Sequence, residues 1–126
     1  MIPWTIMSQR HDARYFLPLT DVAFQILLAL AAGPAHGYAV LVEVERRTQG
    51  SVRLRPGTLY RAINRMTETG LLAETEERPA PELDDERRRY YRLTDLGRRV
   101  AVAEAGRRTR ELDWAREVGL LQPRKA

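Results

Sequence analysis

Arginine is the side chain with which this chain could engage a charged partner. Of its 21 Lys+Arg residues only Lys125 is lysine. A guanidinium presents a planar fork that fits phosphates and guanine edges, whereas an ammonium is a hydrated point charge. Arginine-rich codon usage would raise the count without any role, so placement weighs more than number. Two placements stand out. In PGTLYRAINRMTET, Thr58, Arg61, Arg65 and Glu68 recur on one helical face, with Tyr60 and Asn64 at its margins. In RRRYYR, Arg88, Tyr90 and Arg92 alternate with Arg89, Tyr91 and Leu93, so an extended strand would turn Tyr91 and Leu93 toward a core.

Other chemistries find little to work with. Cysteine is absent, which removes disulfides, thiol nucleophiles and cysteine metal sites together. The two histidines, His11 and His36, lie far apart, so no metal site is expected. Carboxylates are plentiful, but none pairs with a plausible nucleophile and no Gly-rich phosphate loop occurs. Neither an enzyme nor a bound cofactor is expected. The chain has 126 residues, a net charge of +4 and a sequence pI of about 9.9, basic enough to raise nucleic acid as a partner. No apolar run reaches the ~18 residues of a membrane span. The start, MIPWTIM, lacks the basic and apolar regions of a secretory signal, so a cytoplasmic location is expected.

The elements that must hold these arginines follow from caps and breakers. Residues 1–18 read as an N-terminal arm carrying Trp4, Tyr15 and Phe16. Thr20 caps and Asp21 opens a helix, VAFQILLALAA, that is apolar nearly all round and ends at Gly33-Pro34. A second helix is expected from Ala35 or His36 to about Thr48, with His36 as a capping and packing residue. Ser51–Leu54 reads as a bridge or short strand. The third helix begins at Pro56, which suits a first turn, and ends before Gly70. Leu71–Glu77 and Arg88–Leu93 read as two strands joined by RPAPELDDER, and Thr94 caps a last helix to about Gly119. Three helices, a hairpin and a long helix describe a mainly α fold with a β-hairpin wing: a winged helix-turn-helix followed by a long C-terminal dimerisation helix. The domain boundaries expected are 1–18 (arm), 19–93 (winged helix-turn-helix), 94–121 (dimerisation helix) and 122–126 (tail).

Within the third helix Leu59, Ile63 and Met66 form one apolar stripe, fixing the back of the helix while Arg61, Asn64 and Arg65 project. Such a helix fits a major groove, where arginine can bond guanine and asparagine adenine. Thr58 and the first-turn amides suit phosphate oxygens. Any surface helix has a polar face. The second basic feature, on the strand where this architecture meets a duplex, favours double-stranded DNA.

The segments HGYAV (36–40), PGTLYRAINRM (56–66), GLL (70–72) and RRRYYRLTDLGRR (87–99) resemble the PadR-like transcriptional regulators. The likeness spans roughly residues 19–110. It implies a homodimeric winged-helix repressor, of the branch with a short C-terminal part, that puts helix 56–69 in the major groove and wing 71–93 on the backbone. By position, Tyr60 resembles a tyrosine that meets the DNA backbone, and Thr58 the hydroxyl at the start of the recognition helix. The tip here departs from a basic or neutral wing. It holds Glu82, Asp84, Asp85 and Glu86, which phosphate repels, so contact is expected to shift to Arg87, Arg88 and Arg89.

The last helix carries Leu96, Val100, Ala103, Trp114, Val118 and Leu121 at near-heptad spacing, a stripe that needs a partner. Val100, Ala103, Trp114, Val118 and Leu121 are the expected dimer contacts, with Glu104, Glu111, Asp113 and Glu117 pairing arginines across the seam. Trp114 is either an interface anchor or, as the family's multidrug-sensing branch implies, a ring on which a small aromatic effector stacks. The expected function is that of a homodimeric DNA-binding regulator on an inverted-repeat operator, with Arg61, Asn64 and Arg65 on bases and Thr58, Tyr60, Arg88 and Arg89 on phosphates. A winged-helix module that binds protein is the rival, and an RNA-binding winged helix a third reading.

Overall fold

Three of the four α-helices start where the sequence supplies a side-chain acceptor for a first-turn amide. In the computed structural model, which describes residues 12–79 and 88–124, Thr20 accepts the Ala23 amide at 3.1 Å and opens α1, Asp21–Leu30. His36 accepts the Ala39 amide at 3.1 Å and opens α2, Gly37–Arg47. Thr94 accepts the Gly97 amide at 3.0 Å and opens α4, Asp95–Glu117. Only α3, Pro56–Glu68, begins without a side-chain cap, on Arg55. A 3-10 turn, Ala13–Phe16, precedes α1.

The sheet has three antiparallel strands in the order β1-β3-β2: Ala35–His36, Tyr90–Leu93 and Leu72–Thr75. The hairpin register pairs Leu72 with Leu93 and Thr75 with Tyr90, and β1 pairs His36 with Tyr90. Both wing strands are shorter than the sequence suggests. The third strand is also not where Ser51–Leu54 was expected to supply it. There the chain folds back on the end of α2: Thr48 accepts the Val52 amide at 3.2 Å through its hydroxyl, and Leu54 plugs into the core.

One core joins all these elements. Ile26, Leu27 and Leu30 of α1 meet Val40 and Val44 of α2, Leu59, Ile63 and Met66 of α3, and Leu72, Tyr91 and Val100. Val100 therefore corrects the dimer expectation, because it is 0% exposed within a single chain. Glu104 does likewise. Instead of reaching across a seam it is buried against its own chain, bonding Arg107 (2.7 Å), Arg108 (3.2 Å) and the Leu19 amide (3.3 Å). Arg108 continues to Asp21 at 3.0 Å and lies over the Phe24 ring, tying α4 to the start of α1.

The wing is anchored to α4 at Thr94, whose hydroxyl donates to Gly70 O at 2.6 Å and whose amide donates to Leu71 O at 3.2 Å. A side chain at Gly97 would collide with that same carbonyl, so the threonine–x–x–glycine spacing is a clasp between wing base and last helix. The C-terminal half of α4 leaves the core, and Leu112 and Trp114 are exposed along it, as are Val118, Leu120 and Leu121 just beyond.

Candidate nucleic-acid interface

The helix with the amphipathic stripe is seated as expected. Leu59, Ile63 and Met66 are buried, while Tyr60, Arg61, Asn64 and Arg65 are exposed and Thr58 is half-buried. Arg61 reaches Thr58 Oγ1 at 3.5 Å, and neither Arg61 nor Arg65 joins an ion pair among the described residues. Pro56 at the start of α3 has no N–H, and the amides of Gly57 and Thr58 receive no side-chain cap. They lie at the positive end of the helix dipole.

The remaining candidates gather on the other flank of α3. Tyr60, Asn64, Arg88 and Arg89 line a pocket of about 430 Å³ with His36 and Tyr38, floored by Gly37 and Tyr91. Tyr60 lies on the backbone of Gly37, where an added Cβ would stand 2.7 Å from its ring. Arg88 places Nη1 3.0 Å from His36 Nε2. Arg89 is 4.0 Å from Glu74 across the wing. Arg78 fixes the strand from outside, donating to Arg88 O at 3.0 Å and lying over the Tyr90 ring. Burial, with Glu74 nearby, raises the Tyr91 phenol above its ordinary pKa, which keeps it neutral.

Arg61 and Arg65 instead flank a groove of about 580 Å³ shared with Tyr15, Phe16 and Leu71. The structure thus divides the seven candidates around α3 rather than collecting them in one cleft. Tyr90 departs from the alternation expected of its strand, for both tyrosines are buried at 6% exposure. The reason is β1: His36 packs edge-on against the Tyr90 ring at 5.3 Å, covering the face that a two-stranded wing would leave open. His36 and Tyr38 were missed as site residues. The HGY segment that contains them was visible, but its proximity to the wing arises only from the β1–β3 pairing. Arg87 and the acidic residues 82 and 84–86 lie outside the described residues.

Comparison with known proteins gives this geometry a context. The model of the transcriptional regulator PadR-like family matches residues 26–103. The transcriptional regulator Rv3488 of Mycobacterium tuberculosis is 38% identical over 97 residues, covering 77% of this chain and 81% of that protein. An uncharacterized 37.1 kDa protein in transposon TN4556 of Streptomyces fradiae is 36% identical over 85 residues, 68% of this chain but 22% of its own length, so the chain spans only about a fifth of that relative. A crystal structure of a PadR family transcription regulator from Clostridium difficile R20291 superposes with a TM-score of 0.59 at 22% identity, covering 79% of this chain and 100% of that one. At that identity the likeness concerns the fold.

Proposed function

This chain belongs to the PadR-like family of winged-helix, DNA-binding transcriptional regulators, and from that premise we propose that it acts in the cytoplasm as a homodimeric repressor on an inverted-repeat operator. The reading rests on Arg61 and Arg65, exposed and outside any ion pair among the described residues, on a helix whose opposite side is locked in the core. Arg61, Asn64 and Arg65 read base edges in the major groove, and Thr58, Tyr60, Arg88 and Arg89 hold phosphates. Twofold symmetry sets half-site centres about 10 bp apart or a multiple of that. The exposed apolar end of α4, with Trp114, Val118 and Leu121 beside Ala103, supplies the dimer contact. Trp114 is also the ring on which a flat aromatic effector would stack, read out as quenching of its fluorescence in a Trp4→Phe background.

The test is a mobility shift on the DNA upstream of the gene, at two salt concentrations. Arg61→Ala is expected to cost about 1–3 kcal/mol on the operator and relax base preference at one position. Arg89→Ala is expected to weaken operator and random DNA alike and to flatten the salt dependence by about one counterion. Equal losses on operator and random DNA for Arg61→Ala would overturn this division of labour. A protein with no salt-dependent affinity for any duplex would instead fit the protein-binding module.

A further inference from the structure

The groove that Arg61 and Arg65 flank has an apolar bed and a cationic rim. It encloses about 580 Å³ and runs along α3 from Arg61 past Arg65 to Thr69, two turns of helix or about 12 Å. Its bed is made by Phe16, Leu19, Ala23, Ala62, Met66 and Leu71, drawn from the 3-10 turn, the start of α1, α3 and the base of the wing. Both helices contribute an alanine there, and a methyl fills little of the space. The rim is of opposite character. Among the described residues neither Arg61 nor Arg65 meets a carboxylate, and none lines the groove. Glu68 belongs to a separate pocket with Tyr15, Phe16 and Thr69.

Sites for small molecules are concave, of roughly 300–1,000 Å³, and mostly apolar with a few polar groups that fix orientation. This groove meets that description, and its charge selects the ligand. A guanidinium takes a carboxylate through two parallel hydrogen bonds, while the long bed suits an extended alkyl chain. We propose that the groove binds an aliphatic carboxylic acid, its chain laid along Ala62 and Met66 and its carboxylate held by Arg61 and Arg65. Resting on the DNA-binding reading above, the bound acid occupies two of the guanidiniums that read bases, so acid and operator exclude one another. The coupling is reciprocal: whatever factor the acid takes from operator affinity, the operator takes from affinity for the acid.

Octanoate is the probe, with octanol as its uncharged counterpart. Calorimetric titration without DNA should show octanoate binding, and octanol binding at least about tenfold more weakly, as loss of hydrogen bonds between charged groups implies. Methyl NMR should locate the ligand, since Met66 lies on the bed and its signal should move on titration. Arg65→Ala should weaken octanoate at least about tenfold by the same reasoning. Ala62→Leu fills the groove from a position outside the proposed DNA contacts. It should abolish octanoate binding with the melting temperature within a few degrees of wild type and operator affinity nearly unchanged. Octanoate should release operator from the wild type and not from Ala62→Leu. A wild type that takes up no octanoate, binds octanol equally well, or leaves the Met66 signal unmoved overturns the site, whatever the protein does with DNA. Octanoate bound at Met66 without loss of operator affinity overturns the exclusion. A wild type that ignores octanoate, with an Ala62→Leu variant that sediments as a monomer, would make the groove a contact between copies and defeat the proposal. A protein that binds octanoate at Met66 and shifts no duplex would keep the site and sink the DNA-binding reading instead.

Discussion

Glu104 is the one fully buried charged side chain among the described residues. Its environment explains why that is tolerable. Arg107 gives its carboxylate two hydrogen bonds at 2.7 and 2.9 Å, and Arg108 and the Leu19 amide supply more. Chiefly through the Arg107 bonds, and against the opposing effect of burial, the carboxyl is lowered from 4.5 to about 2. A group depressed in the folded state adds stability above its unfolded pKa and loses it as pH falls through the folded value. The window is therefore pH 4.5 down to about 2, and the contribution at neutral pH is on the order of 3 kcal/mol. Glu104→Gln is expected to lower stability by about that amount at pH 7, with the gap to wild type narrowing as pH drops below 4.5. Urea unfolding at several pH values measures this. A gap independent of pH would mean that the charge is not what matters at Glu104. The carboxylate holds the segment before α1 to α4, so the link between the DNA-reading core and the last helix is ionic as well as apolar.

Between elements, the most consequential contact is that of α2 with α3 at Gly37 and Tyr60. The ring occupies the space a Cβ would need, which only glycine permits. Tyr60 is 44% exposed, so it can swing aside. Gly37→Ala is thus expected to change stability by less than about 1 kcal/mol and yet weaken DNA binding about tenfold, as follows from displacing the hydroxyl proposed above to hold a phosphate. Thermal melting beside a mobility shift distinguishes this from a folding defect, which would move both. The α3 stripe was plain in the sequence because Leu59, Ile63 and Met66 follow helical periodicity, and the caps at Thr20, His36 and Thr94 were plain because capping is a local bond. The strand β1 was not, since Ala35 and His36 carry no period of their own and become a strand only by pairing with Tyr90 and Tyr91. Ser51–Leu54 misled for the converse reason. Val52 and Leu54 look strand-like, but the Thr48 hydroxyl holds Val52 in a loop. With β1 unseen, His36 could not be placed beside Arg88, and Tyr90 was assigned to the wrong environment.

The two ends of α4 do different things, and this determines how the proposed dimer would present two reading helices to one duplex. Its first turns belong to the core through Gly97, Val100 and Glu104, so α4 is rigidly continuous with α3 by way of the Leu71–Thr94 clasp. Its far end is bare: Trp114 is 63% exposed, Val118 50% and Leu120 78%. Large apolar side chains grouped on a projecting helix end mark an interaction surface. A second copy applied there would fix the separation of the two α3 helices through rigid elements rather than a hinge. Trp114→Arg tests this directly. Trp114 touches little of its own chain, so the variant should melt within about 0.5 kcal/mol of wild type as measured on the monomer, as surface substitutions do. It should sediment as a monomer at micromolar concentration where wild type sediments as a dimer. Operator affinity should then fall at least a hundredfold, since two half-sites no longer bind as one unit, while affinity for random DNA should fall much less. A Trp114→Arg protein that remains dimeric would move the seam elsewhere on the molecule, and a monomer that keeps full operator affinity would mean that one copy suffices to read the site.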